Sequence, residues 1–315
     1  MKSEIFKTPL PYLALLAAHI IWGGNYVVAK IAVGEFPGMT LGFLRFALAA
    51  ILIAPFLITV PAKERNIKLE HLPRLILAAL FTTTINIAFF YQGLARTNAI
   101  DASVLELIIP ILSVLGGWWF LKEKIYSINL MGILLALAGA LSVIGIPLLL
   151  VGGFSMKQLF GDVLILFSAS SFVIGAILLK NLLKVYHPLI ITAFSFLVGA
   201  VAFLIPAIYE YIQNPGWVNQ ISLPLAGMGL LYIVVLSSIC AFLLLMWGLS
   251  KIELSHANLF QYLEPAVAAS LAVPLLGERI SFSFIIGTCL IILGVYWGTL
   301  GRQQHHHAQH KHHRN

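Results

Sequence analysis

The segment Leu-Lys-Glu-Lys-Ile at 121–125 returns 155 residues later as Leu-Gly-Glu-Arg-Ile at 276–280. The same register holds on both sides of it without a gap. The other matched pairs are Gly93-Leu94 with Gly248-Leu249, Ala102 with Ala257, Pro110 with Pro265, Gly132 with Gly287, and Gly139 with Gly294. Chance rarely keeps glycines, a proline and an acidic–basic pair in one register, so the chain is predicted to contain an ancient internal duplication.

The composition is that of a membrane protein. Charged residues make up 10% of the chain and hydrophobic residues 60%, and the mean hydropathy is +0.96. A soluble domain carries roughly 25% charged residues, and one membrane-spanning helix needs about 20 apolar residues. Ten stretches meet that length: 10–33, 37–60, 73–94, 98–120, 126–150, 159–180, 188–209, 223–249, 254–276 and 280–300. Apolar runs this long favour a helical bundle over a barrel, whose strands would alternate at period two.

The basic residues indicate how the helices cross the membrane. If the N-terminus is cytoplasmic, only Arg96, Lys157 and Arg279 of the loop lysines and arginines lie outside, as the positive-inside rule requires. Both termini are therefore predicted to be cytoplasmic. Because five is an odd number of spans, the second half begins on the opposite face, and Lys124 is predicted inside while its repeat mate Arg279 is outside. The predicted fold is an all-α integral membrane protein with ten transmembrane helices, arranged as two inverted five-helix repeats.

The predicted units are residues 1–150 and 151–300, with five spans each, followed by a histidine-rich cytoplasmic tail at 301–315. The formal net charge of +7 resides in loops and tail, and indicates membrane topology rather than nucleic-acid binding. Cys240 and Cys289 both lie within spans, which supports neither a disulfide framework nor a metal site. The tail is predicted to be disordered, with weak metal binding or a pH response as alternatives.

Inverted repeats are a recurring design of secondary transporters, whose binding site lies near the membrane midplane where the repeats meet. Two such halves can rock and expose one site to each side in turn. A channel or facilitative pore for small solutes is the main alternative, and a duplicated structural scaffold is another. The sequence contains neither an HExxH pair nor a Gly-x-Ser-x-Gly elbow, so we expect no enzyme activity and predict no catalytic residue, cofactor or metal site.

Several motifs resemble those of a known family. Trp22-Gly23-Gly24-Asn25, Arg45-Phe46 and the repeated pattern Gly-Leu…Ala…Pro…Leu-x-Glu-[Lys/Arg]-Ile…Gly are similar to the EamA family of the drug/metabolite transporter superfamily. The resemblance covers about 10–300 as two tandem units. It implies a ten-helix carrier of the bacterial inner membrane, commonly an exporter of amino acids or other small metabolites. The opening motif is weak in the second half, where Ser168-Ala169-Ser170-Ser171-Phe172 replaces the Trp-Gly pair.

The fourth span and its repeat mate, the ninth, each carry small or polar residues on one helical stripe. Steps of three and four place such residues on one face of a helix. In the fourth span they are Ser103, Glu106, Pro110, Ser113 and Gly117, and in the ninth Asn258, Gln261, Pro265, Ala268 and Ala272. Close helix packing accounts for the small residues. Glu106, Asn258 and Gln261 exceed what packing requires and favour the lining of a cavity.

Glu264 is predicted to face protein or water, or to be protonated. A charged group at a helix centre costs about 2.5–3.5 kcal/mol, whereas each Leu, Ile, Phe or Val returns about 0.3–0.6 kcal/mol. The ninth span would be marginal as a lipid-exposed helix on these values. Glu264 is therefore expected to be a proton-linked or substrate-binding carboxyl, or a carboxyl paired structurally with a neighbour.

Arg45 and Glu106 lie about eight residues into spans that both start outside, which corresponds to about 12 Å of depth. An Arg45–Glu106 ion pair is therefore geometrically possible, and a substrate carboxylate could compete for the guanidinium. His19, Gly23, Tyr26 and Lys30 form a stripe on the first span, with Lys30 near the outer end, where its amine could snorkel to the headgroups.

The sequence thus predicts a secondary transporter of the plasma (inner) membrane, which exports amino acids or similar metabolites by alternating access. Its partners are a small-molecule substrate and the lipid bilayer, with protons as a candidate coupling ion through Glu264 or Glu106, and without nucleic acid. Nothing in the sequence specifies an oligomeric state. The candidate substrate-binding residues are Trp22, Asn25, Arg45, Glu106, Gln261 and Glu264.

Overall fold

The computed structural model describes residues 10–121, 127–150, 155–180, 182–222, 224–249 and 258–312, with the backbone alone in some segments beside these gaps. Every long element in these ranges is a helix. The helices are α1 (Leu10–Glu35), α2 (Gly38–Ile53), α3 (Leu69–Leu94), α4 (Ala99–Leu105, continued by Glu106–Ile108 and Ile109–Leu121), α5 (Ser127–Leu150), α6 (Met156–Leu179), α7 (Pro188–Gln213), α8 (Pro224–Leu231, continued by Tyr232–Cys240 and Ala241–Leu249), α9 (Asn258–Tyr262, continued by Leu263–Leu276) and α10 (Phe282–His312). Short helical turns between them lie at Ala54–Thr59, Ala62–Arg65, Leu182–Lys184 and Pro215–Ser222.

Seven helical segments in the described residues are long and apolar enough to cross a membrane. They are Leu10–Glu35, Gly38–Thr59, Leu69–Leu94, Ala99–Gly116, Met156–Leu179, Pro188–Gln213 and Leu225–Leu245. Shorter apolar helices at Leu130–Val143, Phe260–Leu276 and Phe282–Trp297 coincide with the fifth, ninth and tenth predicted stretches. The all-helical membrane fold is confirmed, while the count of ten spans stays a prediction.

Two prolines set irregular turns at equivalent places of α4 and α9. Proline has no N–H, so Pro110 cannot bond to the carbonyl of Glu106, and Pro265 cannot bond to that of Gln261. The helix is tightened to the 3₁₀ form at both turns, Glu106–Ile108 and Asn258–Tyr262. Glu106 and Gln261 therefore lie on turns whose backbone departs from the regular α-helix.

Two other helices contain wider turns. The backbone is π-helical at Leu80–Ile85 of α3 and at Tyr232–Cys240 of α8. Such turns shift the hydrogen bonds by one residue and are frequent at functional sites. The second one carries Ser237 and Ser238, both of which are buried.

Glycines allow close contact between α2 and α7. A Cβ added to Gly42 would lie 2.8 Å from the ring of Phe203, and one added to Gly199 would lie 3.0 Å from the ring of Phe46. Small residues at helix contacts are typical of membrane bundles. Gly42 precedes Phe46 in α2, whereas its contact Phe203 follows Gly199 in α7, so these two helices run antiparallel.

The same reciprocal arrangement joins α5 and α10. A Cβ on Gly139 would lie 2.7 Å from the carbonyl oxygen of Gly287, and a Cβ on Gly294 would lie 2.6 Å from that of Gly132. The earlier glycine of each helix therefore faces the later glycine of the other, and α5 and α10 run antiparallel. All four glycines belong to the register of the sequence duplication.

Helix α10 corrects one expectation. The tail at 301–315 was predicted to be disordered, yet the helix that begins at Phe282 continues to His312. The helix therefore includes most of the histidine-rich segment. Polar residues such as Gln and Arg are good helix formers, so a preceding helix can extend through them.

Candidate functional site

A cluster of buried polar groups joins α1, α4 and α9. The hydroxyl of Tyr26 lies 2.8 Å from Oε2 of Glu106 and 3.2 Å from Oε2 of Glu264. On the other side of Glu264, Nδ1 of His19 lies 2.7 Å from Oε1. Glu264, His19 and Tyr26 are buried, whereas Glu106 is partly accessible. One phenol thus links an acid of the first predicted half with an acid of the second; these four residues are called the acid cluster below.

Helix spacing explains why α1 supplies two of these groups. His19 and Tyr26 are seven residues apart, which is about two turns, so both side chains lie on the same face. Gly23 lies between them, and a Cβ there would be 2.7 Å from the Cβ of Val267. The glycine lets α1 approach α9 closely enough for both side chains to reach Glu264.

The acid cluster extends towards α6 and α3. The hydroxyl of Ser168 is 3.4 Å from Oε1 of Glu106. Nδ2 of Asn86 donates to the carbonyl oxygen of Ser168 at 3.0 Å and to its hydroxyl at 2.9 Å. Ser168 belongs to the segment that departs from the opening motif, so this departure places a hydroxyl beside Glu106.

Arg45 lies in a second cluster, formed by α1, α2, α3 and α8. Its Nε donates to the hydroxyl of Ser238 at 2.9 Å, and its other nitrogens lie 3.3 Å from the hydroxyl of Tyr91 and 3.5 Å from that of Ser237. The indole of Trp22 donates to the backbone carbonyl of Ser237 at 3.0 Å. The π-helical turn of α8 thus receives both Trp22 and Arg45. These five residues are called the guanidinium cluster below.

The Arg45–Glu106 ion pair that equal depth allowed does not form. In the described part of the chain, the hydrogen bonds of Arg45 go to neutral hydroxyls. Depth along a helix fixes the level of a side chain but not its direction, and Arg45 turns towards α8. Its guanidinium still lies within electrostatic range of Glu106.

The two clusters are adjacent. The rings of His19 and Trp22 meet edge to face with centroids 5.5 Å apart. On the other side, Phe90 lies 5.8 Å from both Tyr26 and Tyr91, measured between ring centroids. Aromatic contacts therefore connect the carboxyls of the acid cluster with the guanidinium of Arg45.

Asn25 and Gln261 complete the predicted set. Asn25 is 8% exposed, and among the described residues its Oδ1 has no hydrogen-bond donor. Buried polar atoms in native proteins are almost always paired, so this oxygen is an available acceptor. Gln261 is partly buried on the 3₁₀ turn of α9, and only the backbone is described for Asn258.

Most partners of the predicted residues were not among the candidates from sequence. The predicted residues form hydrogen bonds with His19, Tyr26, Tyr91, Ser168, Ser237 and Ser238. A usable signal was present for Ser237 and Ser238, because two adjacent serines in an otherwise apolar span are conspicuous in a membrane. Tyr26 shares a stripe with His19, but only the folded arrangement brings it between two acids.

Polar contacts also fasten the ends of the helices on the predicted outer side. Glu278 accepts hydrogen bonds from the backbone N–H of Ala99 at 2.7 Å and of Ile100 at 3.0 Å. Glu210 accepts from the N–H of Thr40 at 2.7 Å and from its hydroxyl at 2.8 Å. A carboxylate at a helix N-terminus satisfies free N–H groups and interacts well with the helix dipole. The two glutamates thus cap α4 and α2.

Lys30 is also part of this end of the bundle. Its amine donates to the backbone carbonyls of Leu94 and Thr97 instead of snorkelling to the headgroups. The hydroxyl of Thr97 in turn bonds to the carboxyl of Asp162. Within the described residues, no group of three or more His, Cys, Asp or Glu side chains could hold a metal ion.

Comparisons with known proteins agree with this architecture. The chain is 29% identical over 296 residues to an uncharacterized transporter of Archaeoglobus fulgidus, covering 93% of this chain and 98% of the relative. It is 26% identical to the uncharacterized transporter YoaV of Bacillus subtilis, with 91% and 96% covered. The uncharacterized inner membrane transporter YedA of Escherichia coli is also 26% identical, over 94% of this chain and 93% of its own.

A crystal structure of a protein shares the fold with a TM-score of 0.59, at 18% sequence identity, over 92% of this chain and 97% of its own. The model of the EamA-like transporter family matches twice, at residues 9–145 and again at 159–299. These two matches cover nearly all of the helices described above. The chain belongs to the EamA-like transporter family.

Proposed function

We propose that this transporter exports amino acids or similar small metabolites by alternating access, with the units 1–150 and 151–300 as its inverted halves. It would work in the plasma membrane with both termini in the cytoplasm. The observation that carries the proposal is the buried pair of polar clusters. Glu106 and Arg45 come from one half, and Glu264, Ser237 and Ser238 from the other. A site assembled from both halves changes its exposure when one half moves against the other.

The inverted arrangement is supported by reciprocal contacts. Gly139 faces Gly287 while Gly132 faces Gly294, and the duplication pairs Gly132 with Gly287 and Gly139 with Gly294. The duplication thus converts the contact between Gly132 and Gly294 into the contact between Gly287 and Gly139. A two-fold axis produces this pattern. Two separate family matches along the chain support the same division.

The cargo would bear a carboxylate and an amine. Arg45 is buried and its guanidinium bonds to neutral hydroxyls in the described structure, whereas a carboxylate would bring the opposite charge and can accept two parallel N–H bonds from the guanidinium. A carboxylate cargo would therefore displace the hydroxyls. The free Oδ1 of Asn25 would accept from an amine. Trp22 would hold the backbone of α8 at the edge of this site, and Gln261 would approach it from α9.

The test is counterflow in proteoliposomes. A thermal-shift screen over amino acids, nucleosides and sugars first finds the compounds that bind, because a ligand of the folded state raises its apparent Tm. The hits are then assayed for saturable exchange of labelled compound. We expect flux for an amino acid, and its loss in Arg45→Ala.

Arg65→Ala is the matched control, because Arg65 bonds to the carbonyls of Val60 and Ile58 away from both clusters. Absence of flux above that of empty liposomes for the whole panel would contradict a carrier. Single-channel currents carried by the same liposomes would indicate the alternative, a channel or facilitative pore.

A further inference from the structure

In the acid cluster, the phenol oxygen of Tyr26 contacts two carboxyl oxygens, and each contact needs a hydrogen. The phenol of Tyr26 has a single hydrogen to donate. Its oxygen nevertheless lies 2.8 Å from Glu106 and 3.2 Å from Glu264. If both carboxyls were ionised, one of these contacts would join two oxygens without a hydrogen between them. One carboxyl must therefore supply a hydrogen of its own.

The neighbouring donors indicate which carboxyl it is. We assign Nδ1 of His19 as an N–H donor to Glu264, because their 2.7 Å contact is within the range of a ring N–H on a carboxylate. Glu264 is then an acceptor on both of its oxygens, and Tyr26 donates to it. The remaining contact, 2.8 Å between Glu106 and Tyr26, has the usual length of an O–H···O bond. Its hydrogen belongs to Glu106.

We propose that Tyr26 joins Glu106 and Glu264 into a unit that holds one exchangeable proton, carried by Glu106 in this state, and that loss of this proton breaks the hydrogen-bonded link between α4 and α9. This inference deepens the proposed transport function, on which its role in coupling rests. Glu106 suits the role because it is partly accessible, whereas Glu264 and His19 are buried.

The step changes only the hydrogen bonds. When the O–H of Glu106 breaks, its proton goes to a water molecule and the carboxyl keeps the electron pair. Two carboxylates then face one phenol, whose hydrogen can satisfy only one of them. Either the Tyr26–Glu106 contact or the Tyr26–Glu264 contact must open. In either case the chain of hydrogen bonds from Glu106 on α4 to Glu264 on α9 is interrupted, while the contact between His19 and Glu264 still joins α1 to α9.

The other charged and titratable groups around Glu106 are few. Helix α1 contributes Tyr26 and His19, α9 contributes Glu264, and α2 contributes the guanidinium of Arg45 at longer range. On the neighbouring helices, Ser168 of α6 contacts Glu106, Tyr91 of α3 belongs to the guanidinium cluster, and α5 has no ionisable side chain. Asp162 of α6 bonds to Thr97 near the outer end, and Cys289 and Tyr296 of α10 are exposed.

Infrared spectroscopy tests the proton directly and needs no cargo. We expect the purified protein to show the C=O stretching band of a protonated carboxyl, which disappears as the pH is raised. Glu106→Gln should remove the Glu106 component of this band, beside any contribution of the buried acids Asp101 and Asp162. The variant should stay folded, because an amide N–H can donate to Tyr26 as the acid does. Tyr26→Phe should shift the band. Tyr232→Phe is the matched control and should leave it unchanged, since that hydroxyl donates to the carbonyl of Ile21 instead.

A carboxylic band of unchanged intensity in Glu106→Gln, or unaltered protein without any carboxylic band, would overturn the proposal. The coupling role is tested by counterflow with a labelled amino-acid mixture. Tyr26→Phe should lose accumulation driven by a pH gradient to a greater extent than exchange at equal pH, whereas the control Tyr232→Phe should keep both. If that accumulation survives, the proton unit does not couple transport. If the unaltered protein exchanges none of the probes, the proposed function fails, while the infrared result still decides where the proton lies.

Discussion

The close contact between α5 and α10 predicts a measurable difference between two chemically identical substitutions. A Cβ added to Gly294 would lie 2.5 Å from the backbone nitrogen of Ala136, 2.6 Å from the carbonyl oxygen of Gly132 and 2.8 Å from the Cβ of Ala136. None of these atoms can rotate away. Optimal contacts between heavy atoms are about 3.5–4.0 Å, so Gly294→Ala must push the helices apart by about 1 Å.

The matched substitution is Gly34→Ala near the end of α1, where an added Cβ meets nothing within 4 Å. Both changes replace glycine by a better helix former, which is worth up to about 1 kcal/mol, so the difference between them isolates the packing penalty. Overpacking of this kind costs about 1–3 kcal/mol. Converted at about 2–4 °C per kcal/mol, Gly294→Ala should unfold at least about 2 °C below Gly34→Ala.

The assay is thermal unfolding of both variants in the same detergent and at the same heating rate, because unfolding of such proteins is often irreversible. Equal apparent Tm values, or a more stable Gly294→Ala, would refute the tight contact between α5 and α10. The same result would also remove one of the two reciprocal contacts that support a two-fold relation between the halves.

Three further predictions concern the site and the outer end. Arg45→Lys keeps the charge but loses the planar guanidinium. The loss of one charge-assisted hydrogen bond costs about 1.5–3 kcal/mol, which should reduce counterflow at low cargo concentration about tenfold or more. Glu264→Gln should fold but lose the pH dependence of flux, and a pH profile equal to that of the unaltered protein would show that this carboxyl is not involved in coupling. Glu278→Ala removes the cap of α4 and should cost about 1–2 kcal/mol in thermal unfolding, whereas Glu70→Ala, whose side chain is 66% exposed, should change little.

The sequence predicts the elements of this fold well, because a bilayer makes helix formation depend mainly on apolar length. The sequence also predicts that Glu264 faces away from lipid or is protonated, and in the structure its side chain is buried among protein groups. The register of the duplication matches the same four glycines that form the contact between α5 and α10.

Directions of side chains across helices could not be predicted in the same way. Equal depth allowed Arg45 to pair with Glu106, but the guanidinium turns towards Ser238 on α8. The π-helical turn that carries this serine has no local sequence signature, because it depends on packing against neighbouring helices. Tyr26 likewise gains its place between two acids only when α4 and α9 approach α1 together.

The most direct test of the inverted halves is the sidedness of two residues that the duplication matches, Lys124 and Arg279. Lys124 lies outside the described residues, and Arg279 follows Glu278 at the predicted outer end. Each is replaced by cysteine in a background of Cys240→Ala and Cys289→Ala, and intact cells are treated with a thiol reagent that does not cross membranes. We predict labelling of Arg279→Cys in intact cells and of Lys124→Cys only after the cells are opened. Labelling of both from the same side would contradict the inverted arrangement and the alternating-access mechanism that depends on it.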